Sequence, residues 1–236
     1  MSKSFLRLIE TLDIIDKSFR GMLMKILFQG DSITDTGRNT INGSLISIGQ
    51  GYACMIDGIL STRYPGEYTF QNLGISGNRI VDLYARLKVD VWNQNPDILS
   101  LLIGVNDVWH DLNPSPNGVD AVRFYTIYDM LVHDTLQRFP NLKFVLMEPF
   151  VLKTSSTPEN WDFINTEVTL RAKAVKDVAE KYNQVFVPLQ SIFNDALKVM
   201  PSDYWLGDGV HPTPAGHQLI ANQWIDSFEH LLRNPN

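Results

Sequence analysis

Cysteine is almost missing from this chain. Of 236 residues only Cys54 carries a thiol, so neither a disulfide framework nor a thiolate metal site can be built. Within "GYACMIDGIL" that thiol reads as a small core residue on an apolar helix. Clustered basic charge is missing as well. Twenty Lys and Arg against 26 Asp and Glu leave a formal net charge of -6. Phosphate binding needs grouped cations, so nucleic acid is not an expected partner. No apolar run is long enough to span a bilayer, no linker divides the chain, and no segment repeats. H-x-H and H-E-x-x-H spacings are absent, so Asp31, Asp35, Asp208 and His211 are not read as a metal site, and no cofactor is expected.

The first residues, "MSKSFLRLIETLDIIDKSFRGMLMKILF", carry charge throughout and lack the uninterrupted apolar core of a signal peptide. Phe5, Leu8, Ile9, Leu12, Ile15 and Phe19 recur at helical spacing. They predict an amphipathic helical extension over residues 1–23, packed on the domain or on a second subunit. Glu10, Asp13 and Asp16 offset the basic residues that anionic lipid would attract, so no stable membrane association is expected. Met22 or Met24 is an alternative start. With one cysteine and no export signal, the expected location is cytoplasmic.

What is present is an alternation. Short apolar runs at 24–29, 67–73, 97–103, 142–148 and 185–188 read as strands, separated by stretches of helical periodicity. One stripe is Ile80, Leu83, Leu87 and Val91; a second is Val168, Val175, Val178 and Tyr182; a third is Ile220, Trp224, Phe228 and Leu231. Thr213 is the expected N-cap of the last helix, with Pro214 at its first position. "DLNPSPNG", 111–118, reads as a loop. Strand-helix alternation implies right-handed crossovers and a parallel sheet covered on both faces. The expected fold is therefore α/β: one three-layer α/β/α domain over residues 24–236, with a flavodoxin-like five-stranded parallel sheet.

In such sheets ligands bind beyond the carboxyl ends of the strands. Four turn-forming segments collect there: "GDS" after the first strand, "NLGISGN" after the second, "IGVNDVW" after the third, and "GDGVHP" before the last helix. A serine hydroxyl becomes a nucleophile only when a base takes its proton and a third group holds that base in the right tautomer. Ser32, His211 and Asp208, three residues before the histidine, supply those roles. The N–H groups of Ser32 and Gly77 and the side-chain amide of Asn106 are the candidate donors to a developing oxyanion. Ser76 reads as structural, lacking the full G-x-S-x-G elbow. Asp35 is expected to bond within its own turn, and Arg38 to touch substrate or lie on the surface. His217 reads as a packing or capping-region residue; His110, His133 and His230 read as solvated.

"GDS", "GISGN", "GVND" and "DGVHP", in this order and spacing, resemble blocks I, II, III and V of the SGNH (GDSL) hydrolase family. The resemblance implies an SGNH hydrolase domain in which Ser32, Asp208 and His211 form the triad and Ser32, Gly77 and Asn106 the oxyanion hole. "GDSITDTGR", "GISGNRIVDLYAR", "IGVNDVW" and "VHPTPAGH" are most similar to the bacterial intracellular acetylxylan esterase branch, which removes acetyl groups from xylan or xylo-oligosaccharides as ring-like homo-oligomers. The long N-terminal helix departs from that pattern. The implied activity is hydrolysis of short-chain esters, acetyl first, on a small-molecule or oligosaccharide substrate, by a homo-oligomer. A lysophospholipase, a thioesterase, a general short-chain esterase and a non-catalytic carbohydrate-binding protein are the alternatives. Asp31, Trp109 and Trp205 are candidate substrate contacts, although Trp109 could equally pack beneath the loops.

Overall fold

The computed structural model describes residues 23–39, 47–155 and 160–233, with side chains through Glu229. Apart from Leu23, the expected N-terminal extension lies outside the described residues, as does the His230 side chain. Five strands, β1 (Met24–Gly30), β2 (Tyr68–Asn72), β3 (Ile98–Leu102), β4 (Lys143–Met147) and β5 (Val185–Val187), form one sheet in the order β2-β1-β3-β4-β5. Every pairing is parallel. Strands covered on both sides read as continuous apolar runs, and the runs in the sequence coincide with these five.

Alternate side chains leave each strand for opposite layers. Ile26, Phe28, Ile98, Leu102, Val145 and Met147 enter one core, with Tyr52, Ile56 and Leu60 of α2 (Tyr52–Arg63) and Ile220, Trp224 and Phe228 of α10 (Pro214–Arg233). Leu27, Leu99, Leu101, Phe144 and Leu146 enter the other. That core is covered by α3 (Ile80–Ala85), α4 (Leu87–Asp90), α6 (Ala121–Arg138) and α7 (Trp161–Lys181). The remaining helices, α1 (Ser32–Asp35), α5 (Val105–Trp109), α8 (Gln190–Ala196) and α9 (Ser202–Trp205), are short. The polar blocks lie on, or just before, four helices: α1, α3, α5 and α10.

Some expectations are corrected. The 80–91 stripe is two helices, broken at Arg86, whose backbone (φ -101°, ψ 5°) leaves the helical basin. Its side chain instead reaches back, Nε to Asn78 Oδ1 at 2.9 Å and Nη1 to the Leu73 carbonyl at 2.9 Å. Cys54 is exposed rather than in the core, because α2 turns Tyr52, Ala53 and Ile56 inward and leaves Cys54 on the outer face. The last helix starts as read: the Gly216 N–H lies 3.3 Å from Thr213 Oγ1, and Pro214 needs no donor there.

β1 is flanked by β2 on one side and β3 on the other. The chain leaves β1 and β3 toward different faces, so their carboxyl ends border the topological switch point. Ser32 and Asn106 stand there.

Candidate active site

Gly30 ends β1 at a crowded spot. A Cβ there would stand 2.3 Å from both the Leu102 carbonyl oxygen and Thr34 Oγ1, so only glycine lets β1 pass this close. The chain then turns into α1. Asp31 is its N-cap, its Oδ1 accepting the Ile33 N–H at 3.0 Å. Ser32 is the first helical residue, and its own N–H has no partner among the described residues.

The hydroxyl meets a histidine far along the chain. Ser32 Oγ lies 2.8 Å from His211 Nε2, and His211 Nδ1 lies 2.6 Å from Asp208 Oδ2. An ionised carboxylate can only accept, so Nδ1 carries the proton and the Nε2 lone pair faces the hydroxyl. The loop 207–212 folds around the carboxylate: Asp208 Oδ1 accepts the N–H groups of Val210 (2.9 Å) and His211 (2.8 Å). Burial alone would raise the Asp208 carboxyl. The His211 N–H and ring, with the Val210 N–H, outweigh it and hold the pKa below the usual carboxylate value. The side chains of His211 and Asp208 are 53% and 48% exposed, so the relay is open to an incoming molecule.

Donors lie on the same rim. Gly77, at φ +81°, has an N–H with no partner among the described residues, and a Cβ added to it would meet nothing within 4 Å. Asn106, in α5, spends one amide hydrogen on the Asn78 carbonyl at 3.1 Å and keeps the other. A polarisable hydroxyl, a base with a fixed tautomer and unspent donors are the parts of acyl transfer.

The comparisons with known proteins agree on the family. The profile of the GDSL-like lipase/acylhydrolase family matches residues 28–219. The chain belongs to the GDSL-like lipase/acylhydrolase family. It is a serine esterase with the SGNH hydrolase fold. An acetylxylan esterase of Geobacillus stearothermophilus is 35% identical over 206 residues, 85% of this chain and 92% of that one. The crystal structure of the acetylxylan esterase Axe2 from the same organism superposes with a TM-score of 0.78 at 33% identity, covering 87% of this chain and 95% of that one. A GDSL-like protein of Parabacteroides merdae reaches a TM-score of 0.82 at 36% identity, with 87% and 95% covered.

Within this GDSL-type site the candidate substrate contacts fare differently. Asp31 is corrected: it is 2% exposed, turned inward as the α1 cap. Burial pushes its carboxyl up to about 6 against the Ile33 N–H and the nearby His211. Trp109 packs against the core while also walling a shallow depression beside Asp208, together with Leu152, Trp161 and Val210. Trp205 is half-buried and its Nε1 donates to the Ala196 and Met200 carbonyls at 3.2 and 3.1 Å. It is Tyr204, packed edge-on against that indole, that is exposed.

Asp35 serves its own turn only through Oδ1, 3.4 Å from Arg38 Nε, and reaches beyond that turn with Oδ2. Its Oδ2 accepts the Ser76 hydroxyl at 2.9 Å and the Ser76 N–H at 3.2 Å, which also fixes Ser76 as structural. Arg38 is mostly buried, its Nε donating to the Gly74 carbonyl at 2.6 Å. His110 is half-buried, with Nδ1 sealed from solvent and unpaired among the described residues. His133 is exposed beside Asp134.

Two buried charges escaped the sequence reading. Asp107 is fully buried and accepts the Ile80 N–H, and burial raises its carboxyl to about 7 despite that bond and the charge of Arg171. Arg171 is 1% exposed and donates to the Val119 carbonyl at 2.6 Å. The signal was there: Arg171 falls on the Val168–Val175 stripe, at a position where a helix facing the core should be apolar.

Proposed function

We propose that this esterase removes acetyl groups from carbohydrate, through an acetyl-Ser32 intermediate, with residues 24–236 as the catalytic unit and residues 1–23 as a helical extension. The contact that carries the reading is Ser32 Oγ to His211 Nε2, backed by Asp208. In this mechanism His211 Nε2 takes the hydroxyl proton while Ser32 Oγ attacks the ester carbonyl carbon. The oxyanion forms toward the N–H groups of Ser32 and Gly77 and the free hydrogen of the Asn106 amide. As the C–O bond to the sugar breaks, His211 returns the proton to the departing oxygen. Water repeats the sequence on the acetyl-serine, releasing acetate and restoring the hydroxyl. Asp208 holds the tautomer throughout.

The acetylxylan esterase relative supports the acyl group and the alcohol. Two Axe2 crystal structures carry catalytic mutations, one of a serine and one of an aspartate, which lie as many residues apart in that chain as Ser32 and Asp208 do in this one. The flat indoles of Trp109 and Trp161 beside Asp208 suit the face of a sugar ring. Among the described residues no helix is long and apolar enough to cross a membrane. The single cysteine suits a reducing cytoplasm, and exposed Val122, Phe163, Leu170 and Val199 suit burial against further copies of the chain.

Acetate release from acetylated xylo-oligosaccharides, compared with p-nitrophenyl acetate, butyrate and octanoate and with lysolipids, tests the substrate. A clear preference for octanoate or lysolipid removes the acetylesterase reading. Fluorophosphonate labelling that persists in Ser32→Ala removes the nucleophile.

A further inference from the structure

We propose that Asp35 and Asp107 are positioning residues that set the aim of the Gly77 N–H by gripping its loop on either side. The inference rests on the esterase reading above and concerns how its oxyanion site is held.

From residue 73 to residue 80 nearly every backbone N–H is spent. Leu73 donates to the Phe28 carbonyl (2.9 Å), Gly74 to Asn72 Oδ1 (2.9 Å), Ile75 to the Gly30 carbonyl (3.1 Å) and Ser76 to Asp35 Oδ2 (3.2 Å). Asn78 donates to the Ile75 carbonyl (3.1 Å), Arg79 to Asp82 Oδ2 (2.8 Å) and Ile80 to the Asp107 carboxylate (3.0 and 3.3 Å). Gly77 alone in this run donates to nothing among the described residues. A single unspent N–H inside a fully bonded segment is what a built oxyanion donor looks like.

That donor is easily lost. Gly77 sits at φ +81° in an exposed turn, where a glycine peptide can rotate at little steric cost. Rotation of the Ser76–Gly77 peptide would swing the N–H away, so its neighbours must be held. Asp35 takes both the N–H and the Oγ–H of Ser76, directly before the glycine. Arg38 braces that carboxylate at 3.4 Å and ties the Gly74 carbonyl as well. Asp107 secures the far side at Ile80, and the adjacent Asn106 amide grips the Asn78 carbonyl between them. Each carboxylate follows one of the other oxyanion donors in sequence, Asp35 after Ser32 and Asp107 after Asn106. The three donors are thereby tied into one frame.

Steady-state kinetics on p-nitrophenyl acetate tests the grip, with melting temperature recorded for each variant. Asp35→Ala should lower kcat by about 10- to 100-fold, short of deleting a donor, with KM within about threefold. Asp35→Asn keeps an acceptor for Ser76 and should stay within about threefold of wild type. Ser76→Ala, which removes one of the two bonds, should fall between. Asp107→Ala should act as Asp35→Ala does and be rescued by Asp107→Asn. Should the alanine variants fail to fold, Ser76→Ala alone decides, since its hydroxyl leaves an exposed bond. Unchanged kcat in Ser76→Ala and Asp35→Ala, a rise confined to KM, or equal impairment of Asn and Ala variants overturns the proposal. Wild-type protein without turnover on any acetyl ester defeats the esterase reading instead. The grip is then read from the rate at which a fluorophosphonate modifies Ser32, a step that needs the same donors.

Discussion

The Asn106 amide nitrogen stands 3.1 Å from the Asn78 carbonyl oxygen, so one of its two hydrogens is committed and the other is aimed by default. A side chain with both hydrogens free would rotate about its last bond; this one cannot without losing a bond. Asn106→Ala should therefore lower kcat by about 10²–10³ while KM moves little, because the contact proposed for the free hydrogen forms only with the oxyanion, and the bond that holds the Asn78 carbonyl is lost with it. Turnover of p-nitrophenyl acetate checks it, and a change confined to KM would place Asn106 on ground-state binding.

Asp208→Asn should slow turnover by up to roughly 10⁴ without unfolding the protein. An amide oxygen can still accept the Val210 and His211 N–H groups that shape the loop. The amide nitrogen facing Nδ1, however, favours the tautomer with the proton on Nε2, where it blocks transfer from Ser32. Unchanged kcat with an unchanged melting temperature would remove Asp208 from the relay.

The core makes its own prediction. Trp224, fully buried on α10, donates its indole N–H to Ser100 Oγ of β3 at 2.9 Å, and that hydroxyl lies 3.4 Å from Met147 Sδ. Ser100→Ala leaves the indole nitrogen buried and unpaired, which should cost about 1–3 kcal/mol. Denaturant unfolding measures it. A variant as stable as wild type would mean that the N–H finds another acceptor.

These sites differ in how far they could be read beforehand. The five strands were legible because a sheet covered on both faces favours short, mostly apolar runs, although the edge strand β2 (YTFQN) keeps Thr69 exposed. Ser32, Asn106 and His211 were legible because polar residues at strand ends on one rim have few structural reasons to recur. The stripe of α6, by contrast, escaped notice. Phe124, Tyr128 and Leu131 face the core, but Val122, Tyr125 and Met130 are apolar and exposed, so the period is blurred. The break at Arg86 has no glycine or proline to announce it; tertiary bonds to Asn78 and Leu73 cause it. Asp31 and Asp35 show the same limit in the site. Turn composition tells that carboxylates are present, while only packing decides that one caps α1 and the other reaches Ser76.

His217 carries the prediction about pH. It is 4% exposed, accepts the Tyr52 N–H at Nδ1 (3.2 Å) and stacks on the Tyr52 ring. Burial, with a smaller contribution from the charge of His211, lowers its pKa from 6.5 to about 4. Between those values the unfolded chain binds a proton that the folded chain refuses, so the stability from His217, complete above the unfolded value, is lost on acidification. The slope is at most about 1.4 kcal/mol per pH unit. The buried carboxyls of Asp31 and Asp107, pushed up to about 6 and about 7, work oppositely. The folded chain keeps their protons where the unfolded chain releases them, so their contribution is lost as pH rises from the ordinary carboxylate value through those figures. Wild-type stability alone therefore mixes two slopes of opposite sign. The difference between wild type and His217→Gln isolates one of them, because Asp31 and Asp107 are common to both. In denaturant titrations the deficit of His217→Gln should be largest above about pH 7 and should shrink steadily toward about pH 4. A deficit that stays constant over that interval would mean that the imidazole takes up its proton as readily in the folded protein as outside it.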